Sequence, residues 1–179
     1  MQSLVPQIKK ILFTTDLSMQ ARHAFAYGVG IAHKFGADLT ILYVMEDVAG
    51  STSQNSNLQA FIGKNRWEEL RQTREQEVRQ VLIGKRRESV MIREALGEMV
   101  SATQQDLPEA RPPEEIVVTQ GEAAECIVHE AETRGIDLIV MGYTPRGRLE
   151  EAIAGSVSRS VLRRTHIPVL MVRLPETSA

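Results

Sequence analysis

Five short apolar runs alternate along the chain with longer stretches in which apolar residues recur every three to four positions. The first run, Ile8 to Thr15, reads as a strand and ends in Asp16-Leu17-Ser18, where Asp16 or Ser18 can cap a helix. In that helix Ala21, Ala24, Phe25, Gly28, Ala32 and Phe35 form the apolar stripe, and Gly36 stops it. Asp38–Met45, Glu115–Thr119, Ile136–Gly142 and Ile167–Val172 supply the remaining strands. The second and fourth runs are nearly continuous in apolar residues rather than alternating, which suits a sheet covered on both faces. One helix carries Ala124, Ile127, Val128 and Ala131 and closes at Gly135. Another follows Gly155-Ser156 and carries Val157, Val161 and Leu162.

The stretch between the second and third strands is longer and less regular. Ala49 to Asn57 is rich in Gly, Ser, Thr and Asn and reads as a loop. Trp67, Leu70, Val78, Val81 and Leu82 make a broken helical stripe; Ile92, Ala95, Leu96, Met99 and Val100 make a better one. Gly84-Lys85-Arg86-Arg87 lies between them and either divides two helices or sits inside one, since a glycine in a helix interior costs only about 1 kcal/mol. Arg71, Arg74, Gln80 and the Lys85–Arg87 cluster interrupt the stripe, so part of this segment must face water.

The alternation predicts an α/β fold: an open, five-stranded, mostly parallel, Rossmann-like sheet with helices on both faces. A single domain over 1–179 is expected, with an extended helical segment at about 49–113. Sheets of this kind bind ligands beyond the carboxyl ends of their strands, at a switch in strand order. The loops after strands one, two and four are therefore the candidate site.

Composition narrows the partners. With 179 residues, 42% of them hydrophobic, the chain can bury one real core. A net charge of -2, a pI near 6.1 and an aromatic content of 4% argue against nucleic acid, which needs a basic surface or stacking platforms. The one cysteine, Cys126, allows no intrachain disulfide, which fits a reducing compartment. The first residues are too few and too polar for a signal peptide, and no run approaches the roughly 20 apolar residues that span a bilayer. The expectation is a cytoplasmic protein without a membrane partner.

Several blocks are specific. Lys10-Ile11-Leu12-Phe13-Thr14-Thr15-Asp16-Leu17-Ser18, Gly121-Glu122-Ala123-Ala124-Glu125-Cys126-Ile127, Asp137-Leu138-Ile139-Val140-Met141-Gly142, Gly155-Ser156-Val157-Ser158 and Ile167-Pro168-Val169-Leu170-Met171-Val172 together resemble the universal stress protein family. The resemblance covers residues 8–48 and 115–173. It implies the strand order 3-2-1-4-5, a homodimer through the last strand, and an adenine-nucleotide site for ATP or AMP. By the same resemblance that site comprises Thr14, Thr15, Asp16, Val44, Met141, Gly142, Arg146, Gly147, Gly155, Ser156 and Val157. Adenine would lie near Asp16 and Val44, and the phosphates near Gly155 and Ser156. The family spacing is glycine, two residues, glycine, nine residues, glycine, then serine or threonine. Gly142, Gly155 and Ser156 match it, but Pro145 stands where the second glycine belongs and Gly147 is out of register.

The residues themselves support a phosphate reading and a plainer one. A glycine before a helix lets an anion approach backbone N–H groups that the helix leaves free, and Ser156 adds a hydroxyl. Arg146, Arg148 and Arg159 are possible charge partners for a polyphosphate. Equally, Gly142 and Gly155 can simply make turns, Ser156 and Asp16 can cap helices, and Val44 can be core. Cys126 and His129 share a helix face, but two ligands do not close a metal site. Gly-x-Ser-x-Gly, a Walker loop and Gly-x-Gly-x-x-Gly are absent, so any ATP hydrolysis is expected to be very slow. The alternative to a nucleotide-binding stress or signalling module is a nucleotide-free dimeric scaffold that binds a protein partner, with the long segment as the partner surface.

Overall fold

The computed structural model describes residues 5–45, 81–144 and 155–175 of the chain, with side chains for all of these except 81–87. Five strands form one sheet: β1 (Lys10–Thr15), β2 (Asp38–Met45), β3 (Glu115–Gln120), β4 (Leu138–Tyr143) and β5 (Val169–Arg173). Their order is β3-β2-β1-β4-β5, and every neighbouring pair is parallel. The architecture and strand order expected above are those observed.

Among the described residues, two helices cover each face of the sheet. On one side α1 (Ala21–Phe35) and α2 (Val81–Asp106) bury Phe25, Val29, Ile92, Leu96 and Met99 against Ile11, Phe13, Leu39, Ile41 and Val140. On the other, α3 (Ala123–Thr133) and α4 (Ser156–Arg164) bury Ala124, Ile127, Ala131 and Val161 against Leu12, Leu42, Val117 and Ile139. Successive strand residues go to opposite faces, so a run buried on both sides must be apolar at nearly every position. Among the described residues no helix is long and apolar enough to cross a membrane.

Some local expectations need correction. Neither Asp16 nor Ser18 is the N-cap of α1: the helix begins after Gln20, whose side chain makes no capping hydrogen bond. Phe35 belongs to the expected stripe but is 57% exposed at the last position of α1. Ile167 and Pro168 precede β5 rather than opening it, although the Pro168 carbonyl already accepts from the Ile139 N–H at 2.9 Å. The helix end at Gly36 is as expected: with φ 64° it takes the left-handed position that a side chain would strain. From Val81 onward the long segment is one continuous helix that passes through Gly84. Residues 49–80, with the Trp67 stripe and the rest of the expected helical segment, lie outside the described residues.

Candidate functional site

Chain order reverses between β1 and β4. From β1 the chain proceeds outward through β2 to β3, and then returns to the other side for β4 and β5. Such a reversal leaves a crevice at the strands' carboxyl ends. Thr14 pairs with Met141 across β1 and β4, and Thr15 with Tyr43 across β1 and β2. Carried one residue further, the same registers set Asp16 opposite Val44 and Thr15 opposite Gly142.

Alternation along the strands sorts these residues by face. Val44 and Met141 are both buried in the cluster beneath α3 and α4, and Val157 of α4 packs against that cluster. Thr14, itself buried, points the same way as Leu12 two positions earlier. Thr14, Val44, Met141 and Val157 thus share one face at one end of the sheet. Thr15 and Gly142 lie on the opposite face, where Leu174 belongs to the core under α1 and α2.

The β1–α1 turn is held by its own side chains. Leu17 N–H donates to Thr15 Oγ1 at 3.0 Å, and Ser18 N–H donates to Asp16 Oδ1 at 2.9 Å. Leu17 has φ 58° and is fully buried, so packing fixes a left-handed conformation that leucine disfavours. Asp16 stands exposed at the tip of β1.

The two glycines of the expected phosphate side differ. A Cβ on Gly142 would lie 2.8 Å from Leu174 Cδ2 and 3.1 Å from both Leu174 Cδ1 and Cγ, so this glycine makes room for a side chain of its own core. A Cβ on Gly155 would meet nothing within 4 Å. Gly155 is the N-cap of α4, with φ −62° and ψ 173° and no side-chain cap, and its carbonyl accepts from Arg159 N–H at 3.1 Å. The first backbone N–H groups of a helix have no intrahelical acceptor, which makes the start of α4 suited to an anion. Ser156 is exposed there. Arg146, Gly147, Arg148 and Pro145 lie outside the described residues.

Sequence reasoning passed over two polar clamps. Glu122 caps α3 by accepting from Ala124 and Glu125 N–H, and it also accepts from Arg164 at the end of α4 at 3.0 Å; Arg164 lies 3.5 Å from Glu125. Partial burial pushes the Glu122 carboxyl upward, but the two backbone N–H groups and Arg164 outweigh it and hold the group below its ordinary value. Glutamate is not a favoured cap, so only the Gly121-Glu122 break in pattern hints at this role. Asp137, the first residue of the block that ends at Gly142, does its work at the far end of the sheet. Its Oδ2 accepts from Lys9 and Lys10 N–H at 2.8 and 2.9 Å, clamping the amino ends of β1 and β4 together. Cys126 is a poor nucleophile candidate: burial, then Glu122, Glu130 and Glu125, push its thiol up. Among the described residues no group of three or more His, Cys, Asp or Glu is placed to hold a metal ion.

Comparison with known proteins agrees with this fold. The sequence profile of the universal stress protein family matches residues 7–173. A universal stress protein of Methanocaldococcus jannaschii is 27% identical over 171 residues, spanning 94% of this chain and 84% of that one. Among solved structures, the universal stress protein UspA from Lactobacillus plantarum superposes with a TM-score of 0.62 at 23% identity, covering 94% of this chain and 100% of that one. A universal stress protein from Archaeoglobus fulgidus in complex with dAMP gives 0.55 at 16%, covering 93% and 99%. Another universal stress protein, in complex with cAMP, gives 0.56 at 19%, covering 93% and 98%.

Proposed function

The chain belongs to the universal stress protein family, and on that footing we propose that it is a stress-response or signalling module that binds an adenine nucleotide, ATP or AMP, as a homodimer. The observation that carries the reading is the convergence at the reversal of strand order. Thr14, Val44 and Met141 share one face there, Asp16 follows directly on β1 where the register carried forward meets Val44, and Val157, next to Gly155 and Ser156 at the start of α4, packs against the same cluster. Adenine lies near Asp16 and Val44, and the phosphates meet the first turn of α4. Family members that carry cAMP and dAMP add support. Arg146 and Gly147 complete the phosphate side.

The homodimer forms through β5. That strand pairs only with β4 among the described strands, and Val169, Leu170 and Met171 are only half-buried. An apolar edge of this kind invites a second copy about a two-fold axis. Sedimentation equilibrium yielding a dimer at micromolar concentration supports this, and a clean monomer refutes it.

One observation favours a second reading, a dimeric scaffold without nucleotide. Pro145 has no N–H, fixes its own φ and pushes Thr144 toward an extended backbone, where the family spacing has a glycine. Loss of one hydrogen bond to a charged group weakens binding about ten- to a hundredfold, which weakens the site without abolishing it. Mass spectrometry of gently purified protein and calorimetric titration with ATP and AMP test the choice. If millimolar nucleotide does not bind wild type while Pro145→Gly binds it, the scaffold reading holds.

A further inference from the structure

One aromatic side chain stands at the reversal of strand order without a place in either core. Tyr143 closes β4, and its two predecessors fix the face on which it stands. A Cβ on Gly142 would run into Leu174, which belongs to the core under α1 and α2. Met141 is buried in the opposite cluster. By strand alternation Tyr143 rises on the face that carries Thr14, Val44 and Met141, beyond Met141 at the carboxyl end. We propose that Tyr143 is a ligand residue of the nucleotide site, its ring walling the pocket and its hydroxyl hydrogen-bonded to the ribose; this rests on the nucleotide reading above.

The registers build the pocket. Carried forward, they set Asp16 between Val44 on β2 and Tyr143 on β4, one row beyond Leu42, Thr14 and Met141. Neighbouring strands lie about 4.8 Å apart, so Val44 and Tyr143 stand about 10 Å from each other across the end of β1, room for a flat ring or a sugar. Thr14 lies in the row beneath. It is only 9% exposed, and among the described residues its hydroxyl makes no hydrogen bond, yet it is not shut off from solvent. The Tyr143 ring is half-buried and packs against neither core cluster, and its hydroxyl likewise has no hydrogen-bond partner among the described residues. Tyrosine hydroxyls and buried polar groups ordinarily find partners, so these two are groups the fold itself does not use. On the nucleotide reading Val44 lies on the adenine side and α4, which follows β4, on the phosphate side. Tyr143 stands between them, where the sugar joins base to phosphate. A phenol hydroxyl both donates and accepts, which suits the hydroxyls of a ribose.

The test is Tyr143→Phe in the full chain, freed of nucleotide, followed by thermal unfolding without ligand and by calorimetric titration with adenosine, AMP and ATP. Removing a hydroxyl that bonds only the ligand leaves the ligand-free Tm within about 1 °C of wild type. It weakens all three ligands by the same factor, about three- to tenfold, because all three carry the ribose. Tyr143→Ala, which removes the ring as well, weakens them further, by about tenfold or more. Equal binding by wild type and Tyr143→Phe overturns the hydrogen bond. A loss with AMP and ATP but not with adenosine puts the hydroxyl on the phosphate and overturns the sugar contact. A fall in ligand-free Tm with unchanged affinity makes the hydroxyl structural and overturns the assignment too. If wild type binds none of the three, the nucleotide reading itself fails, and this assignment with it.

Discussion

Alanine at residue 142 separates two roles that a glycine at the end of β4 could have. In one the glycine lets a phosphate approach; in the other it makes room for the core. Gly142 does not need a left-handed backbone, so alanine fits the strand and stiffens the unfolded chain slightly, a gain of about 0.4–1 kcal/mol. Against this stands Leu174. Its Cδ2, Cδ1 and Cγ all lie within 2.8–3.1 Å of where the new methyl would be, so turning the isobutyl end cannot clear it. The Leu174 backbone cannot swing away either, because its N–H donates to the Tyr143 carbonyl at 2.8 Å. Overfilling a packed site costs about 1–3 kcal/mol, which leaves a net loss of about 0.5–2 kcal/mol and a fall in Tm of about 2–6 °C. The assay is a double-mutant cycle with Leu174→Ala, followed by urea unfolding. Leu174→Ala alone opens a cavity. In the Gly142→Ala background it also relieves the clash, so it costs at least about 0.5 kcal/mol less there. Unchanged stability in Gly142→Ala with additive effects, together with lost nucleotide binding, would refute the packing argument and return the glycine to the ligand.

Asp137→Ala leaves the Lys9 and Lys10 N–H groups without their shared carboxylate; a loss of about 1–2 kcal/mol is expected in urea unfolding, with nucleotide affinity unaltered at the opposite end of the sheet. Glu122 has a folded-state pKa below its ordinary value of 4.5, so its contribution is present above that pH and is lost as pH falls through the lower folded value. The Tm of wild type should therefore drop faster below about pH 4.5 than that of Glu122→Gln, and parallel pH profiles would contradict this. Cys126, with its thiol pushed up by burial and by Glu122, Glu130 and Glu125, should alkylate with iodoacetamide more slowly than a free thiol at pH 7–8, with a rate profile displaced to higher pH.

The fold was legible because two-sided burial writes itself into sequence as nearly unbroken apolar runs, and Ile11–Phe13, Ile41–Val44 and Ile139–Met141 are all buried. Where the reading slipped, tertiary geometry decided between equivalent local choices. Val161 is fully buried and Leu162 is 46% exposed, although both are apolar neighbours on α4, because one helical step turns a side chain by about 100°. Asp16 and Ser18 are both residue types that cap helices. Which one does so depends on a turn set by Leu17, and here neither does. Gly84 could not be read either way from propensity, and the helix continues through it.

Within the candidate site, the structural duties of single residues were not legible in the sequence. Gly142 and Gly155 enter one spacing pattern as the same letter, yet one accommodates Leu174 and the other faces open space. The contact that distinguishes them joins residues 32 positions apart, beyond any local pattern. Asp137 likewise opens the block that ends at Gly142, but its partners lie more than 120 residues away at the other end of the sheet. On the nucleotide reading proposed above, not every glycine and arginine of this half of the chain is available to a phosphate. Arg164 is committed to Glu122 and Glu125, and Gly142 to packing. Within the described residues, that reading leaves for an anion the backbone N–H groups at the start of α4, the Ser156 hydroxyl and the exposed Arg159. A site built mainly on backbone donors tolerates substitution of its side chains and is sensitive to the loop that delivers it. On that reading Pro145→Gly should change nucleotide affinity more than Arg159→Ala does, which calorimetric titration with ATP checks.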